Sequence, residues 1–200
     1  MAEIDDAVPV TEALARYYRE HGLPPDGGAG SAWFMVQIGP LRVPLPNPPA
    51  RKAAVLYHDM HHLATGYNTV FSQGEMIIAG YEIGTGGGRY AVAWVINLWM
   101  MALGLLVTPR RMFGAFVRGR RCDSLYRHPA EQDRFTAMSV GELKRVLRVN
   151  EPTPDPTGAD RAAFAGWCAV AWLATVAPAA LLGGALWLVV AGVRMVLTSR

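Results

Sequence analysis

Three of the five histidines in this 200-residue sequence fall within five residues, in the segment HDMHH that begins at His58. On a helix, His58 and His62 are four residues apart and therefore lie one turn apart on the same face. Two imidazoles at this spacing can bind one metal ion. Asp59 borders that face and can supply an oxygen ligand or a hydrogen bond that fixes a histidine tautomer. His61 points away from it, and we expect a surface or packing residue there.

Two glutamates extend this set of candidate ligands. Glu75 follows His62 after twelve intervening residues, at the start of a second predicted helix, and can return a carboxylate to the histidines. Glu82 lies seven residues further on the same helical face, where it can act as a ligand or a proton acceptor. The alternatives are that Glu75 only completes a capping box with Ser72 and that the histidines are hydrogen-bonded core residues.

The donor set is of mixed nitrogen and oxygen type, without sulfur, and it suits zinc, iron or manganese. Zinc is the first choice. A vacant coordination position on such an ion would polarise a carbonyl or phenolate oxygen, or activate a water molecule. The metalloprotease signature H-E-x-x-H is not present, because Asp59 stands where that signature has its glutamate base.

Two helices joined by a short loop are predicted to position these side chains. Prolines in 39–49 favour an extended chain, so the first helix begins only near Ala50, and Gly66 can cap its end. The second helix runs from Glu75 to a glycine-rich turn at 84–88. Two shorter elements come before them, an amphipathic helix within 1–21 and a strand or buried turn at 31–38.

Apolar segments account for an unusual composition, with 52% hydrophobic and 18% charged residues. A soluble domain has about a quarter of its residues charged. Residues 90–109 are uncharged, and Asn97 is a strongly polar residue near the middle of this run. The 32 residues 162–193 are also uncharged. A helix of that length would span roughly 48 Å, and Pro178 interrupts it, which predicts either a tilted membrane-spanning helix or a re-entrant hairpin. The candidate interfacial anchors are Trp167, Trp172 and Trp187.

Basic residues concentrate at 110–148, where ten of them face four acidic ones. This charge favours a cytoplasmic surface facing lipid, and the absence of regularly spaced aromatic residues argues against nucleic acid as a partner. We expect a helical metal-binding domain at 1–149, a proline-rich linker at 150–161 and a hydrophobic membrane segment or hairpin at 162–197. The expected location is the cytoplasmic face of a bacterial-type inner membrane.

The segment His58-Asp59-x-x-His62, together with the later Gly74-Glu75, resembles the signature of the Coq-four family of ubiquinone biosynthesis proteins. That signature is H-D-x-x-H followed about eleven residues later by glutamate, and here the gap is twelve. The resemblance extends from Phe34 to Val149. It implies an all-α fold and a divalent metal, usually zinc. The ligands that it implies are His58, Asp59, His62 and Glu75.

The resemblance also implies a role in coenzyme Q assembly, with a prenylated aromatic precursor held at the metal. The reaction it implies is removal or replacement of the ring carboxylate at C1, by a metal-dependent lyase or an oxidative decarboxylase. The candidate protein partners are other quinone-biosynthesis proteins and a second copy of the chain. Because 162–193 is not part of the family core, the chain is expected to be a divergent bacterial-type member with another substrate.

Two alternatives come from different functional classes. One is a membrane-associated metal-dependent hydrolase in which Asp59 or Glu82 activates a metal-bound water. The other is a non-enzymatic scaffold for quinone-biosynthesis proteins, whose metal only holds two helices together.

Overall fold

The computed structural model describes residues 5–38, 41–70 and 74–198, with the backbone alone at 36–38, 41–42 and 179 and along most of 181–198. This part of the chain is mostly helical, with one two-stranded hairpin. Its elements are α1 (Val10–Glu20), β1 (Trp33–Ile38), β2 (Leu41–Pro46), α2 (Pro49–Thr65), α3 (Met76–Thr85), α4 (Ala91–Val107), α5 (Pro109–Gly119), a 3₁₀ turn (Leu125–Arg127), α6 (Gln132–Ala137), α7 (Val140–Val146) and α8 (Gly158–Thr198).

The hairpin is the one correction to an all-helical architecture. β1 and β2 pair antiparallel, with Trp33 opposite Pro46. Each proline biases the residue before it toward extended backbone and has no N–H for a helical hydrogen bond, so the proline-rich segment before α2 favours a strand. Of the two alternatives for 31–38, the structure has a strand, and it is not buried, since Trp33 and Met35 are more than half exposed.

Helix α2 carries the three clustered histidines, and its two ends follow from local sequence. Pro49 stands in the first turn, where its missing N–H is not needed. At the other end Gly66 takes a left-handed conformation, with φ of 75°, and its N–H bonds the carbonyl of His62. The predicted helix and its glycine cap are therefore confirmed, with the start within one residue.

Helix α3 is the centre of the fold, and nine of its ten residues are buried. One side of it joins a core with α1, α2 and α7, and the other joins a second core with α4, α5 and the first turns of α8. This sandwiched position brings the start of α3 against the histidine face of α2. It also buries Glu82, in the middle of α3, almost completely.

Helix α8 begins at Gly158, inside the segment predicted as a linker. Its first turn is fixed by a reciprocal cap, in which the Thr157 N–H and hydroxyl donate to Asp160 and the Asp160 N–H donates to the Thr157 hydroxyl. The same carboxylate accepts hydrogen bonds from Arg120 and Arg121 after α5. Asp160 therefore connects the start of α8 to the segment that follows α5.

Helix α8 continues through Pro178 to Thr198 without a break. Proline removes one intrahelical hydrogen bond, and here the neighbouring turns hold the helix together. Of the two arrangements expected for 162–193, a single helix and a hairpin, the structure has the single helix. Most side chains beyond 181 lie outside the described residues. No helix among the residues that the structure describes is both long enough and apolar enough to cross a membrane.

Candidate metal centre

Three side chains from two helices converge on one point. His58 and His62 come from α2, and Glu75 comes from the residue before α3. The two histidine Nε2 atoms are 3.1 Å apart, and the Glu75 carboxylate oxygens lie 3.4 Å from His58 Nε2 and 3.3 Å from His62 Nε2. One candidate ligand atom from each residue lies within 4.8 Å of the other two. The structure thus brings together three of the four residues predicted as ligands.

A π turn at residues 74–75 directs Glu75 toward the histidines. Turns of this type are frequent at functional sites because they alter the direction of one side chain. The turn requires glycine at position 74, since a Cβ there would overlap the backbone carbonyl of Asn68. The Glu75 side chain makes no capping hydrogen bond. Ser72, the other member of the predicted capping box, lies outside the described residues.

Hydrogen bonds at the far side of each imidazole fix its orientation. The Nδ1–H of His62 donates to the backbone carbonyl of Tyr67 at 2.8 Å. The Nδ1–H of His58 donates to Glu82 Oε1 at 3.1 Å. Because carbonyl and carboxylate oxygens only accept, Nδ1 carries a proton in both rings, and Nε2 of each ring faces Glu75 and the other histidine. Metal-binding histidines are oriented by the same kind of partner.

The donor set fits a divalent cation. Two histidine Nε2 atoms and a carboxylate face one another, and a divalent cation bound by them takes the place of any proton on Nε2. Tetrahedral zinc with bonds of ~2.0–2.1 Å separates its ligand atoms by roughly 3.3–3.4 Å, and the observed separations are 3.1–3.4 Å. A quarter of the His58 side chain and 28% of Glu75 remain exposed, so the site is open to a cavity.

Charged groups within the site raise the pKa of His58 and lower the pKa of Glu75. Burial opposes the protonated form of His58, but the Glu82 and Glu75 carboxylates outweigh it and raise the pKa of His58 well above its usual value. Burial alone would raise the pKa of Glu75. The imidazoles of His62 and His58 overcome this and hold the pKa of Glu75 well below its usual range. The cluster therefore keeps Glu75 ionised.

Glu82, predicted as a further ligand or proton acceptor, lies behind the site. It is 1% exposed and accepts hydrogen bonds from His58, His61, Asn97 and Tyr126. Burial would raise the pKa of Glu82, but the two histidines keep it well below its usual value. Glu82 also lines the cavity, but both of its oxygens are occupied by these donors, so its contact with His58 positions that ring.

His61 is a packing residue, the second of the two options that its position predicted. It is fully buried, its Nδ1–H donates to Glu82 at 2.8 Å, and its Nε2 accepts the Leu125 N–H at 3.2 Å. The ring therefore connects the metal-bearing helix to the 3₁₀ turn. It has no access to the cavity side of α2.

Asp59 does not join the three converging side chains. Its Oδ2 accepts the hydroxyl proton of Tyr18 at 2.9 Å, and the side chain lies at the wall of the cavity beside His58. Burial raises the pKa of Asp59, and the nearby histidines only partly offset this effect. A carboxyl group with these properties can hold a proton next to the metal position.

A cavity of about 800 Å³ opens onto the site. Its walls are largely apolar and come from α2, from α4 and from the hairpin. Pockets of this size bind organic ligands, with a few polar groups fixing the orientation. The polar groups on its walls include His58, Glu75, Asp59 and Arg51. The cavity therefore combines largely apolar walls with a few polar groups next to the candidate metal position.

Sequence reasoning missed several residues around the site. Asn97 and Tyr126 bond Glu82, the Tyr67 carbonyl orients His62, and Arg51 lies on the cavity wall. The sequence pattern contained an indication for two of these residues. Asn97 is the polar residue inside an uncharged run, and Arg51 precedes His58 by seven residues, which places it on the same helical face. The contact of Tyr126 with Glu82 depends on tertiary packing.

No family model matches this chain, and neither does any curated protein or solved structure with which it was compared. The functional argument therefore depends on the site and its cavity.

Proposed function

We propose that this protein is a Coq-four-like metalloprotein that binds a prenylated aromatic or quinone precursor at a divalent metal, most simply zinc. In this proposal His58, His62 and Glu75 hold the metal. Asp59, the fourth residue of the signature, lies beside them. The single observation that carries the proposal is the convergence of two histidine Nε2 atoms and a carboxylate at 3.1–3.4 Å, beside a largely apolar cavity.

When bound, the cation supplies Lewis acidity toward a carboxylate or phenolic oxygen of the ligand. The chain's own residues orient that oxygen. Glu82 holds His58 through Nδ1, and the Tyr67 carbonyl holds His62, so both imidazoles are fixed before the ligand arrives. The apolar cavity walls exclude water and accommodate the hydrocarbon part of the ligand.

Asp59 supplies proton transfer in this proposal. Its Oδ2 is occupied by the Tyr18 hydroxyl, which leaves Oδ1 to carry a proton. If the ring carboxylate leaves as carbon dioxide, one proton must take its place on the ring carbon, and Asp59 is the nearest group able to deliver it. General acids of this kind contribute about 10²–10⁴-fold to a rate.

The proposal includes association with a lipid surface, at the cytoplasmic face of a bacterial-type inner membrane. Its support is the exposed apolar surface on α4 and α8, where Leu106, Leu173 and Trp187 are each more than two-thirds exposed. The two helices pack against each other, and large exposed apolar residues on neighbouring helices are expected where a protein contacts a partner or a membrane. Flotation with anionic phospholipid vesicles tests this. Leu173→Glu should lose vesicle binding, and Leu45→Glu on the hairpin should keep it.

The enzymatic part is tested with zinc-loaded protein and a prenylated hydroxybenzoate labelled with ¹³C in its carboxyl group. We expect labelled carbon dioxide from the wild type and at least a 100-fold slower release from Asp59→Asn and His62→Ala. His128→Ala, which changes an exposed histidine outside the site, is the matched control. Metal-bound protein that never releases label from such substrates would contradict the decarboxylation proposal.

The same variants distinguish the non-enzymatic scaffold from the proposed enzyme. If the metal only joins α2 to α3, then His58→Ala should act solely by destabilising the fold. Loss of label release in a variant with wild-type thermal stability therefore excludes a purely structural metal. The hydrolase alternative retains Asp59 as its base, since the four hydrogen bonds to Glu82 leave that residue unable to activate water.

A further inference from the structure

Arg51 is a half-buried cation on the wall of the cavity. It lies two helical turns before His58 on α2, a rise of roughly 10 Å along the axis, and faces the same cavity. Burial lowers the pKa of Arg51, while the charges of Asp59 and Glu75 act in the opposite direction. An arginine side chain remains protonated under such conditions. The cavity therefore has a permanent positive charge beside an otherwise apolar wall.

The guanidinium is held in place without being neutralised by a close carboxylate. One of its terminal nitrogens donates to Asn47 Oδ1 at 3.1 Å, and its centre lies 3.8 Å above the ring of Phe34. Asn47 is itself buried and is fixed by donating to the carbonyls of Gly28 and Ser31. Among the described residues Asn47 is the only hydrogen-bond partner of the Arg51 side chain, and no described carboxylate forms an ion pair with it.

Several other described arginines have carboxylate or backbone carbonyl partners. Those at positions 16, 120, 121 and 148 form ion pairs with carboxylates. Those at 118 and 127 bond backbone carbonyls. A guanidinium has five N–H donors in a rigid fork that matches a carboxylate. With one donor occupied by Asn47, Arg51 retains a free edge for an anionic group in the cavity.

We propose that Arg51 binds a carboxylate of the cavity's ligand through this free edge. The inference extends the proposed function and rests on it, because the proposed metal site is what binds the second polar group of the ligand. It assigns the ligand's carboxylate to Arg51 and leaves a phenolic or carbonyl oxygen for the site at His58, His62 and Glu75. The ligand class is then an apolar molecule with two polar groups, of which the one at Arg51 is anionic.

Binding of two matched probes tests this assignment. 4-Octylbenzoate carries a carboxylate and an apolar tail, and 4-octylbenzamide is its neutral counterpart. Titration of the full-length protein after removal of metal by a chelator isolates the contribution of Arg51 from that of the cation. We expect the wild type to bind the benzoate at least 10-fold more tightly than the benzamide.

Arg51→Gln should abolish that preference and leave benzamide binding unchanged. Arg51→Lys, which keeps the charge but loses the fork, should retain part of it. Lys52→Gln removes one positive charge from the neighbouring residue and should behave as the wild type. Equal weakening of both probes in Arg51→Gln and Arg51→Lys would show that Arg51 only holds the hairpin in place, and an unchanged preference would exclude it as the carboxylate site.

The same titration separates this inference from the proposed function. Zinc content is measured for Arg51→Gln in parallel, and we expect it to equal that of the wild type. A protein that binds no zinc yet discriminates benzoate from benzamide through Arg51 would refute the metal proposal and sustain the carboxylate site. Full zinc content without any preference for the benzoate over the benzamide would refute the carboxylate site and sustain the metal proposal.

Discussion

Replacing Glu82 by glutamine removes a buried negative charge that orients the metal site from behind. The carboxylate accepts hydrogen bonds from His58, His61, Asn97 and Tyr126. An amide presents one oxygen and one NH₂ group to the same four donors. In any orientation its NH₂ therefore faces at least one donor, and the two histidines lose a charged acceptor.

The magnitude follows from these contacts. A hydrogen bond to a charged group contributes about 1.5–3 kcal/mol and one between neutral groups about 1 kcal/mol. Loss of charge at two histidines, with one donor left unsatisfied, then destabilises the fold by roughly 2–4 kcal/mol. Loss of the carboxylate partner of a metal-binding histidine weakens metal binding by about 10–100-fold. Glu82→Gln should therefore lower both stability and zinc affinity.

Two measurements check this prediction. Urea unfolding of the chelator-treated protein gives the free energy of unfolding, and competition with a chromophoric chelator gives the zinc dissociation constant. Glu20→Gln, which breaks an exposed ion pair with Arg16, serves as the control and should change neither by much. Wild-type stability and zinc affinity in Glu82→Gln would refute the role of Glu82 in positioning His58.

Two further predictions concern the elements that hold the site. Gly74→Ala forces the π turn away from the Asn68 carbonyl and displaces Glu75, so zinc affinity should fall at least 10-fold in the chelator competition. Asp160→Asn weakens the tie between α8 and two arginines, and thermal unfolding should show a loss of about 1–2 kcal/mol. Hydrogen bonds from Thr157, helped by Arg120 and Arg121, lower the pKa of Asp160 to about 2. Its contribution is thus full above an unfolded pKa of about 4 and is lost as the pH falls toward 2, so wild type and Asp160→Asn should differ in stability at pH 6 and converge near pH 2.

Local rules predicted the element that carries most of the site. Proline at the start of α2 and glycine after its end fix both boundaries, and the four-residue spacing puts His58 and His62 on one face without reference to the rest of the chain. Glu75 was predicted as a partner because a short loop returns the chain to α2. The structure brings its carboxylate within 3.4 Å of both imidazoles.

The surroundings of the site depend on packing that the local sequence does not encode. Glu82 lies on the predicted helix, but burial of α3 between α2 and α4 makes it an acceptor for Asn97 and Tyr126. Asp59 was predicted from its position as an oxygen ligand or a hydrogen-bonding residue, and by resemblance as a ligand; the structure pairs it with Tyr18, 41 residues earlier in the chain. A strand at 31–38 was one of two predicted alternatives and an extended chain at 39–49 was predicted, but their pairing was not, because prolines indicate an extended chain without indicating its partner strand.

Metal content of the purified protein tests the central claim most directly. Elemental analysis after exhaustive dialysis should give one zinc per chain for the wild type and for His128→Ala. It should give less than about a tenth of that for His62→Ala and Glu75→Ala, with helical circular dichroism retained in both. A wild type without stoichiometric metal, or full zinc content in folded His62→Ala, would contradict a metal centre at His58, His62 and Glu75.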